Sequence, residues 1–320
     1  MKIAFFSEAS FTGKIPRNFE NMRTEYAWYV ALNSIHHSIG QLKSLPDNHY
    51  NLGIVIIPKT KIEELMVFPM IEQMKRVCNK IGFMQEGPHW YFQDYPMEQQ
   101  IWFYNTLMEM DVLFCHNELD VRYFKGITGK QQVYRMPSLM ITDYIKPSED
   151  NLESVIIGGN MVRWYGGFDS YIIAQEFSCI KDTPIYAPSM GRKIEREDEL
   201  GINHLPYMTW LQWQTELSRH KYAVHLMTTH AAGTFALNCA YHGIPCIGYE
   251  GLDTQSKCHP QLTIKMNDLR HARELAEKLK TDNSFYETAC ETAKNNFNVF
   301  FGEEEYIHDM NKVIQKVIDE

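Results

Sequence analysis

Residues 221–255, KYAVHLMTTHAAGTFALNCAYHGIPCIGYEGLDTQ, carry the pattern that decides the fold. The apolar run at 222–227 is typical of a buried parallel strand, and the run at 246–249 is typical of a second one. The residues between them predict a short helix over 235–242. The stretch therefore predicts a strand, a small-residue turn, a helix and a second strand, which is the repeating unit of a parallel α/β sheet.

The turn before this helix is a candidate anion site. Gly233 permits close backbone approach, and Thr234 is a candidate cap for the helix, which Gly243 and Pro245 end. A helix N-terminus presents free N–H groups and the positive end of the helix dipole, which favour an anion such as a diphosphate. A plain crossover without a ligand is the alternative interpretation.

The rest of the chain repeats the alternation of strands and helices. In the first half we expect a long helix at about 24–39, a second at about 61–81 and a third at 97–110. The apolar runs predict strands at 2–7, 51–58, 82–84, 112–115 and 133–137. This pattern indicates the α/β class, with two Rossmann-like, doubly wound domains.

A length of 320 residues favours two domains over one hydrophobic core. The polar segment PSEDN at 147–151 is the candidate linker. We therefore expect an N-terminal domain at 1–148 and a C-terminal domain at 149–302. A closing amphipathic helix at 303–320 is expected to pack back on the first domain.

Composition narrows the class of protein. The seven cysteines are odd in number and contain no C-x-x-C pair, which fits a reducing cytoplasm rather than a disulfide framework or a structural zinc site. No apolar run approaches the length of a membrane span, so we expect no membrane span and a cytoplasmic location. The net charge of −9 disfavours an indiscriminate polyanion binder. Nothing in the sequence indicates an obligate protein partner.

Ligands of doubly wound sheets collect outside the carboxyl ends of the strands. In the second half, Gly158 and Gly159 follow a predicted strand, and Asn160 and Arg163 belong to the same loop. Arg192 lies in a second loop. An arginine fork can hold two phosphate oxygens, so these loops and the turn at 233–234 together favour a diphosphate site.

The chain resembles the GT-B glycosyltransferases, and most of all the phage DNA β-glucosyltransferase family that acts on 5-hydroxymethylcytosine. The motifs behind this are spread in the same order over most of the chain: MKIAFF at 1–6, the strand-helix-strand at 52–86, VIIGG at 155–159, the unit at 235–249 and LDT at 252–254. The resemblance implies two domains with a cleft between them, a nucleotide sugar held by the second domain, UDP-linked for preference, and an acceptor held by the first.

The resemblance also assigns roles to individual residues. Glu86 matches the catalytic acidic residue, which takes the proton of the acceptor hydroxyl in an inverting transfer, and Asp94 and His89 are the runners-up. Arg163 and the Gly158–Gly159 loop would neutralise the leaving diphosphate. Asp253 and Gln255 resemble a sugar-contacting pair.

The chain also departs from the fold's common pattern. Retaining members often carry Glu-x7-Glu, and His230 and Asn238 occupy those two places. Loss of the first glutamate fits an inverting enzyme. Loss of the second replaces a charged ribose ligand by an amide, whose hydrogen bonds are weaker.

For the acceptor, Lys14, Arg17 and Arg23 are candidate cations of the first domain, and Trp90 is a candidate stacking platform for a flipped base or a sugar. No Asp-x-Asp motif indicates a metal-dependent donor site, although a divalent ion could assist.

The sequence therefore predicts an inverting glycosyltransferase that uses a nucleoside diphosphate sugar and a hydroxyl acceptor, with hydroxymethylated pyrimidine in double-stranded phage DNA as the first hypothesis. Transfer to a polysaccharide or a small molecule is one alternative. A non-catalytic nucleotide-sugar-binding protein is the other.

Overall fold

The computed structural model of the chain describes residues 1–58, 61–159, 161, 165–181, 183–188 and 195–320. It divides into two compact units. The first contains Met1–Phe19, Arg23–Ile141 and Glu303–Glu320, and the second contains Glu20–Met22 and Thr142–Gly302. The long segment of the second unit thus begins at Thr142, ahead of the polar segment at 147–151.

The first unit is built on a six-stranded parallel sheet. Its strands are β1 (Ile3–Ser7), β2 (Ile35–Ser38), β3 (Tyr50–Ile56), β4 (Cys78–Met84), β5 (Val112–Cys115) and β6 (Val133–Arg135). They lie in the order β2-β1-β3-β4-β5-β6. Every residue of β1 and of β5 is buried, as expected for strands covered on both faces, which is why these strands read as continuous apolar runs.

Six α-helices of the described residues belong to this unit. They are α1 (Thr24–Ala31), α2 (Ile62–Val67), α3 (Met70–Val77), α4 (Met97–Glu109), α5 (Glu118–Thr128) and α12 (Glu303–Asp319). The last of these presents Tyr306, Met310, Ile314 and Val317 as its buried side, with a spacing of three to four residues.

The first predicted helix is too long. The expected helix at 24–39 ends at Ala31, and Asn33 adopts a positive φ of 47°. Residues 35–38 instead form β2, in which His36 pairs with Phe5 of β1. The apolar spacing of the helix continues through Ile35, so periodicity alone did not reveal the turn at Asn33.

The second predicted helix is also wrong in its extent. The expected helix at 61–81 is split into α2 and α3, because Pro69 cannot continue a helix from the residues before it. Its last four residues, 78–81, belong to β4, which is longer than the predicted strand at 82–84.

The second unit contains another six-stranded parallel sheet. Its strands are β7 (Leu152–Ile157), β8 (Ile185–Pro188), β9 (Asn203–Leu205), β10 (His220–His225), β11 (Cys246–Tyr249) and β12 (Thr263–Ile264). They lie in the order β12-β11-β10-β7-β8-β9. The helices are α6 (Gly167–Lys181), α7 (Trp210–Leu217), α8 (Thr234–His242), α9 (Asp253–Cys258), α10 (Leu269–Thr281) and α11 (Asn283–Phe301).

Each unit has its own hydrophobic core. Phe6, Phe83 and Leu113 are fully buried in the first, whereas Val155, Phe177 and Val224 are fully buried in the second. The two parallel sheets with helices confirm the predicted α/β class with two doubly wound, Rossmann-like units.

Candidate functional site

The second sheet reverses its strand order between β7 and β10. From β7 the chain builds outward through β8 and β9, and then returns to place β10 on the other side of β7. Such a switch point opens a crevice outside the carboxyl ends of the two strands, and ligands of doubly wound sheets bind there. The residues at this position are Gly158 and Gly159 after β7, and His225 and Leu226 at the end of β10.

The two glycines are explained by packing within the unit. A Cβ on Gly158 would lie 2.4 Å from Cγ of His225 and 2.7 Å from Cδ1 of Phe235. A Cβ on Gly159 would lie 2.7 Å from the Cβ of Tyr165. Protein side chains therefore fill the space beside both glycines.

His225 is a neutral group at this switch point. The residue is only 6 % exposed, and burial lowers the pKa of its imidazole to about 4. Within the described part of the chain, its Nδ1 has no hydrogen-bond partner. The ring centroid lies 5.1 Å from that of Phe235, in the first turn of α8. His225 thus joins the end of β10 to the start of that helix.

The loop after β7 is also tied to the end of β10. Gly166 has a φ of +62°, and a Cβ on it would lie 2.0 Å from the carbonyl oxygen of Leu226. The amide of Leu226 donates a hydrogen bond of 2.8 Å to Oγ of Ser170, in the first turn of α6. These contacts hold the start of α6 against the carboxyl end of β10.

Helix α8 begins one residue earlier than predicted. Gly233 is the N-cap, with a φ of 68°, and Thr234 is the first helical residue and exposed rather than the cap. Oγ1 of Thr254 donates a 2.8 Å hydrogen bond to the carbonyl of Gly233. No side chain of the described residues caps this helix, so its first amides and dipole remain suited to an anion.

His230 packs on the backbone of the loop after β11. Gly251 has a φ of +110°, and a Cβ there would lie 2.1 Å from Cε1 of His230. Asp253 follows at the start of α9, where its carboxylate lies 3.7 Å from Nζ of Lys257. The structure therefore brings His230 and the loop that leads to Asp253 together.

Two other predicted donor ligands point into the interior. The Gln255 side chain is 1 % exposed, and its Nε2 donates to the carbonyl of Cys246 at 2.9 Å. Asn238 is 5 % exposed. Its amide donates to the carbonyl of Thr234 at 3.1 Å and accepts from Nε1 of Trp213 at 3.2 Å. These positions favour structural roles for both amides, a distinction that residue type alone could not reveal.

Three further predicted donor ligands, Asn160, Arg163 and Arg192, lie outside the described residues.

In the first unit, Glu86 follows β4 at the carboxyl edge of the sheet. The residue is half-buried and its Oε2 is enclosed by protein. Burial raises the pKa of Tyr91, and the nearby Glu86 carboxylate contributes to that rise. Asp94 ends the 3-10 helix Tyr91–Asp94 and is exposed. The two candidate carboxylates therefore differ in exposure: Glu86 is half-buried, whereas Asp94 is exposed to solvent.

His89, in the same loop as Glu86, makes a contact that sequence reasoning missed. Its Nδ1 lies 3.2 Å from Oδ1 of Asp120, in the first turn of α5. Nδ2 of Asn117, the N-cap of that helix, donates to the other carboxylate oxygen at 2.9 Å. Burial raises the pKa of Asp120, against the opposing effects of its hydrogen bond with Asn117 and of His89. The only sequence signal was an acidic residue three places after a strand-end Asn117.

The aromatic segment after Glu86 is mostly packed. Phe92 stacks on Phe103 of α4 with ring centroids 3.5 Å apart, and Tyr91 contacts Tyr95 at 5.3 Å. Trp90 is half-buried at the N-terminal end of the 3-10 helix. These contacts favour a structural role for Phe92.

The three predicted acceptor cations all have partners inside the first unit. Nη1 and Nη2 of Arg17 donate to Oε1 and Oε2 of Glu303 at 2.7 and 2.8 Å. Nζ of Lys14 donates to Oδ1 of Asn33 at 2.6 Å. Arg23 lies 3.0 Å from the carboxylate of Glu25 and 5.2 Å from the ring centroid of Tyr26.

In the part of the chain that the structure describes, no three His, Cys, Asp or Glu side chains come together as metal ligands. Among the same residues, no helix combines the length and apolar character needed to cross a bilayer.

No protein-family model and no curated protein sequence matches this chain. Solved structures are similar to it. HepE of Anabaena, crystallised with UDP-glucose, has a TM-score of 0.73 and 8 % identity, over 99 % of this chain and 100 % of HepE. Sucrose-phosphate synthase of Thermosynechococcus elongatus has a TM-score of 0.65 and 11 % identity, over 84 % of this chain and 74 % of the synthase.

Staphylococcus aureus TarM, in a complex that contains UDP, has a TM-score of 0.63 and 8 % identity over 82 % of this chain. This chain spans just over half of TarM, 55 % of its length. At these identities the similarity establishes the fold, which is the GT-B architecture expected from the sequence.

Proposed function

We propose that this chain is a glycosyltransferase that moves a sugar from a nucleoside diphosphate sugar, with UDP-glucose as the first candidate donor, to a hydroxyl acceptor. The observation that carries the proposal is the whole-chain similarity to HepE, a protein crystallised with UDP-glucose. The geometry of the second unit supports it, because a switch-point crevice and the N-terminus of α8 lie at the same edge of one sheet.

The donor diphosphate would lie at the start of α8. The N-terminal N–H groups and the dipole of this helix stabilise the negative charge that develops on the leaving group as the glycosidic bond breaks. Asp253, two residues after Gly251, would accept hydrogen bonds from the sugar hydroxyls. Arg163 and Arg192 remain proposed phosphate ligands on sequence grounds alone. No metal ion is required by this scheme, because the helix and the arginines would carry the charge of the diphosphate.

The acceptor side of the reaction needs a base. Three candidate groups follow β4 in the first unit, namely Glu86, His89 and Asp94. A base that removes the acceptor proton while the acceptor oxygen attacks the anomeric carbon gives inversion in one displacement. The absence of glutamate at the first place of the Glu-x7-Glu pattern, where His230 stands, supports inverting chemistry.

The pairing of the basic residues favours a neutral hydroxyl acceptor over DNA. DNA binding requires several cations that neutralise phosphates, whereas Arg17 and Arg23 each contact a glutamate in their own unit. A saccharide or small-molecule hydroxyl is therefore the acceptor class that we propose, and hydroxymethylated DNA is the second hypothesis to be tested beside it.

Two measurements test the proposal. Addition of UDP or UDP-glucose should raise the melting temperature, because a ligand that binds only the native state stabilises it. Labelled UDP-glucose should then transfer its sugar to oligosaccharide hydroxyls, with hydroxymethylated and unmodified DNA compared in parallel.

Binding without transfer to any hydroxyl, water included, would instead indicate a non-catalytic nucleotide-sugar-binding protein. No stabilisation by UDP or by any other nucleoside diphosphate sugar would contradict the proposal altogether.

A further inference from the structure

The pair of His89 and Asp120 has the geometry of an oriented imidazole. Its Nδ1 faces the carboxylate at 3.2 Å, and the His89 side chain is 29 % exposed while that of Asp120 is 1 % exposed. Among the described residues, Nε2 of His89 makes no hydrogen bond with the protein. Nδ1 is therefore the ring atom that contacts the carboxylate, whereas Nε2 is the ring atom that a ligand could contact.

The surroundings of Asp120 hold its carboxylate as an acceptor. Asn117 donates to Oδ2, and Oδ1 faces Nδ1 of His89. Asp120 also lies in the first turn of α5, where the helix dipole favours a negative charge. An acceptor at Oδ1 requires a proton on Nδ1, and this places the lone pair of a neutral imidazole on Nε2.

We propose that Asp120 is a positioning residue that fixes His89 in this tautomer, and that Nε2 of His89 is the base of the transfer reaction. The inference rests on the proposed function. The acceptor O–H proton passes to Nε2, and the acceptor oxygen forms a bond to the anomeric carbon of the nucleoside diphosphate sugar. The bond from that carbon to the β-phosphate oxygen breaks, and its electron pair leaves with the nucleoside diphosphate.

This assigns the base to His89 rather than to Glu86, the residue matched by the sequence resemblance. One oxygen of Glu86 is enclosed by protein, and the carboxylate lies close enough to Tyr91 to affect the pKa of that phenol. From α5, His89 is contacted by Asp120 and by Tyr123, whose ring centroid lies 4.4 Å from that of the imidazole.

A purely structural pair is the competing explanation, because Asp120 also contacts the N-cap of its own helix. The two explanations differ in whether activity depends on which ring nitrogen of His89 carries the proton. If the contact is purely structural, an Asp120→Asn variant that still folds should keep its activity. A base held by Asp120 would lose its function, because the amide of an Asp120→Asn variant can donate to Nδ1 and move the ring proton to Nε2.

Long-range ¹H–¹⁵N spectra of the full chain at pH 8 test the tautomer without any acceptor. The expected spectrum has His89 protonated on Nδ1 in the wild type and on Nε2 in Asp120→Asn. His89→Asn identifies the signal. A wild-type imidazole protonated on Nε2 would overturn the proposal.

Kinetics form the second arm, with UDP-glucose as donor and either water or methyl glucosides as acceptor. Asp120→Asn and His89→Asn should lower kcat by roughly 10²–10⁴-fold, the usual contribution of a general base. The Kd for UDP should be unchanged in both. Asp111→Asn is the matched control, since Oδ2 of Asp111 accepts from the amide of Ile81 at 2.7 Å in the same unit.

Each outcome of these two arms has a defined meaning. A loss confined to Asp120→Asn and His89→Asn supports the proposal. Equal losses in Asp111→Asn, or normal kcat in Asp120→Asn with a large loss in Glu86→Gln, would overturn it while the proposed function stands. A wild-type chain that binds neither UDP nor UDP-glucose would remove the proposed function, and this inference with it.

Discussion

The imidazole of His225 occupies the space that a side chain on Gly158 would need. A Cβ on Gly158 would lie 2.4 Å from both Cγ and Cδ2 of the ring, well inside van der Waals contact. Because the ring is packed against Phe235 and is buried, it has little freedom to move away. Glycine is therefore required at position 158 because His225 of the adjacent strand β10 leaves no room for a side chain. Both residues lie at the edge of the sheet where the donor site is proposed.

We expect Gly158→Ala to lower the free energy of unfolding by about 1–3 kcal/mol, the usual cost of overpacking a buried site. Affinity for UDP should fall as well, because a displaced His225 disturbs the start of α8. Urea unfolding and UDP titration measure the two effects.

Gly126→Ala is the control for Gly158→Ala. Gly126 lies within α5, and a Cβ on it would meet no atom within 4 Å, so alanine there should stabilise by roughly 0.5–1 kcal/mol. A Gly158→Ala variant as stable as the wild type would contradict the packing argument.

Asn238 gives a second prediction, because its place in the sequence and its place in the structure indicate different roles. A ribose ligand would weaken UDP binding when it is removed. A buried amide that joins Trp213 to the first residue of α8 would instead destabilise the fold. We expect Asn238→Ala to lower the free energy of unfolding by about 1–3 kcal/mol through the partners left unsatisfied.

The affinity of the folded Asn238→Ala variant for UDP should remain within a few-fold of the wild type, as measured by calorimetry below its melting temperature. A large loss of affinity for UDP without loss of stability would instead indicate that Asn238 binds the ribose.

Asn238 and Gln255 also show why the site was harder to predict than the fold. Apolar runs identify strands because burial on both faces requires them, and strands such as β1 and β5 follow directly from such runs. The strand β2, IHHS, has no such run and was missed. The sequence gives no comparable indication of whether an Asn or Gln side chain is buried or binds a ligand. Whether it faces a ligand or a backbone carbonyl depends on neighbours that come from other elements, such as Trp213 for Asn238 and Cys246 for Gln255.

The same limit explains the contact that was missed. His89 and Asp120 are 31 residues apart in sequence. They meet only because β4 and β5 are neighbours in the sheet, so that the loop after one strand lies beside the helix after the other. The sequence identified the strand ends, but the pairing of side chains there required the order of the strands.

Arg17 and Glu303 provide a test of the acceptor hypothesis. Their two hydrogen bonds join the loop after β1 to the first turn of α12, with the side chains 41 % and 22 % exposed. An ion pair at such exposure contributes about 0.2–1 kcal/mol to stability. Arg17→Ala and Glu303→Ala should therefore be coupled by that amount in a double-mutant cycle of urea unfolding.

If Arg17 serves a DNA acceptor instead, Arg17→Ala should weaken binding of hydroxymethylated DNA and reduce its salt dependence by about one phosphate contact. We expect no such change relative to Arg122→Ala, an exposed arginine of α5. A selective effect of Arg17 on DNA affinity would favour the DNA acceptor over the saccharide.

Several buried histidines make stability depend on pH. Burial is the main cause that lowers the pKa of each imidazole to about 4, below the value of about 6.5 for an exposed histidine. The group consists of His36, His220, His225 and His259, which are 0 %, 3 %, 6 % and 1 % exposed. Each stays neutral in the folded chain at a pH where the unfolded chain has already bound a proton.

The unfolded state therefore binds more protons between about pH 6.5 and about pH 4, and stability falls as pH is lowered through this window. Above pH 6.5 the contribution of these histidines is fully present. Each of them adds up to about 1.4 kcal/mol per pH unit to the slope of the unfolding free energy within the window.

His259→Met isolates one of these contributions. Loss of the hydrogen bond from the ring to the carbonyl of Ala236 lowers stability at every pH, but the slope should change only inside the window. Urea unfolding at pH 7, 6 and 5 should show a slope between pH 6 and 5 that is smaller in the variant by up to about 1.4 kcal/mol per unit. An unchanged slope would mean that His259 is protonated alike in the folded and unfolded chains, and that its burial does not set its pKa.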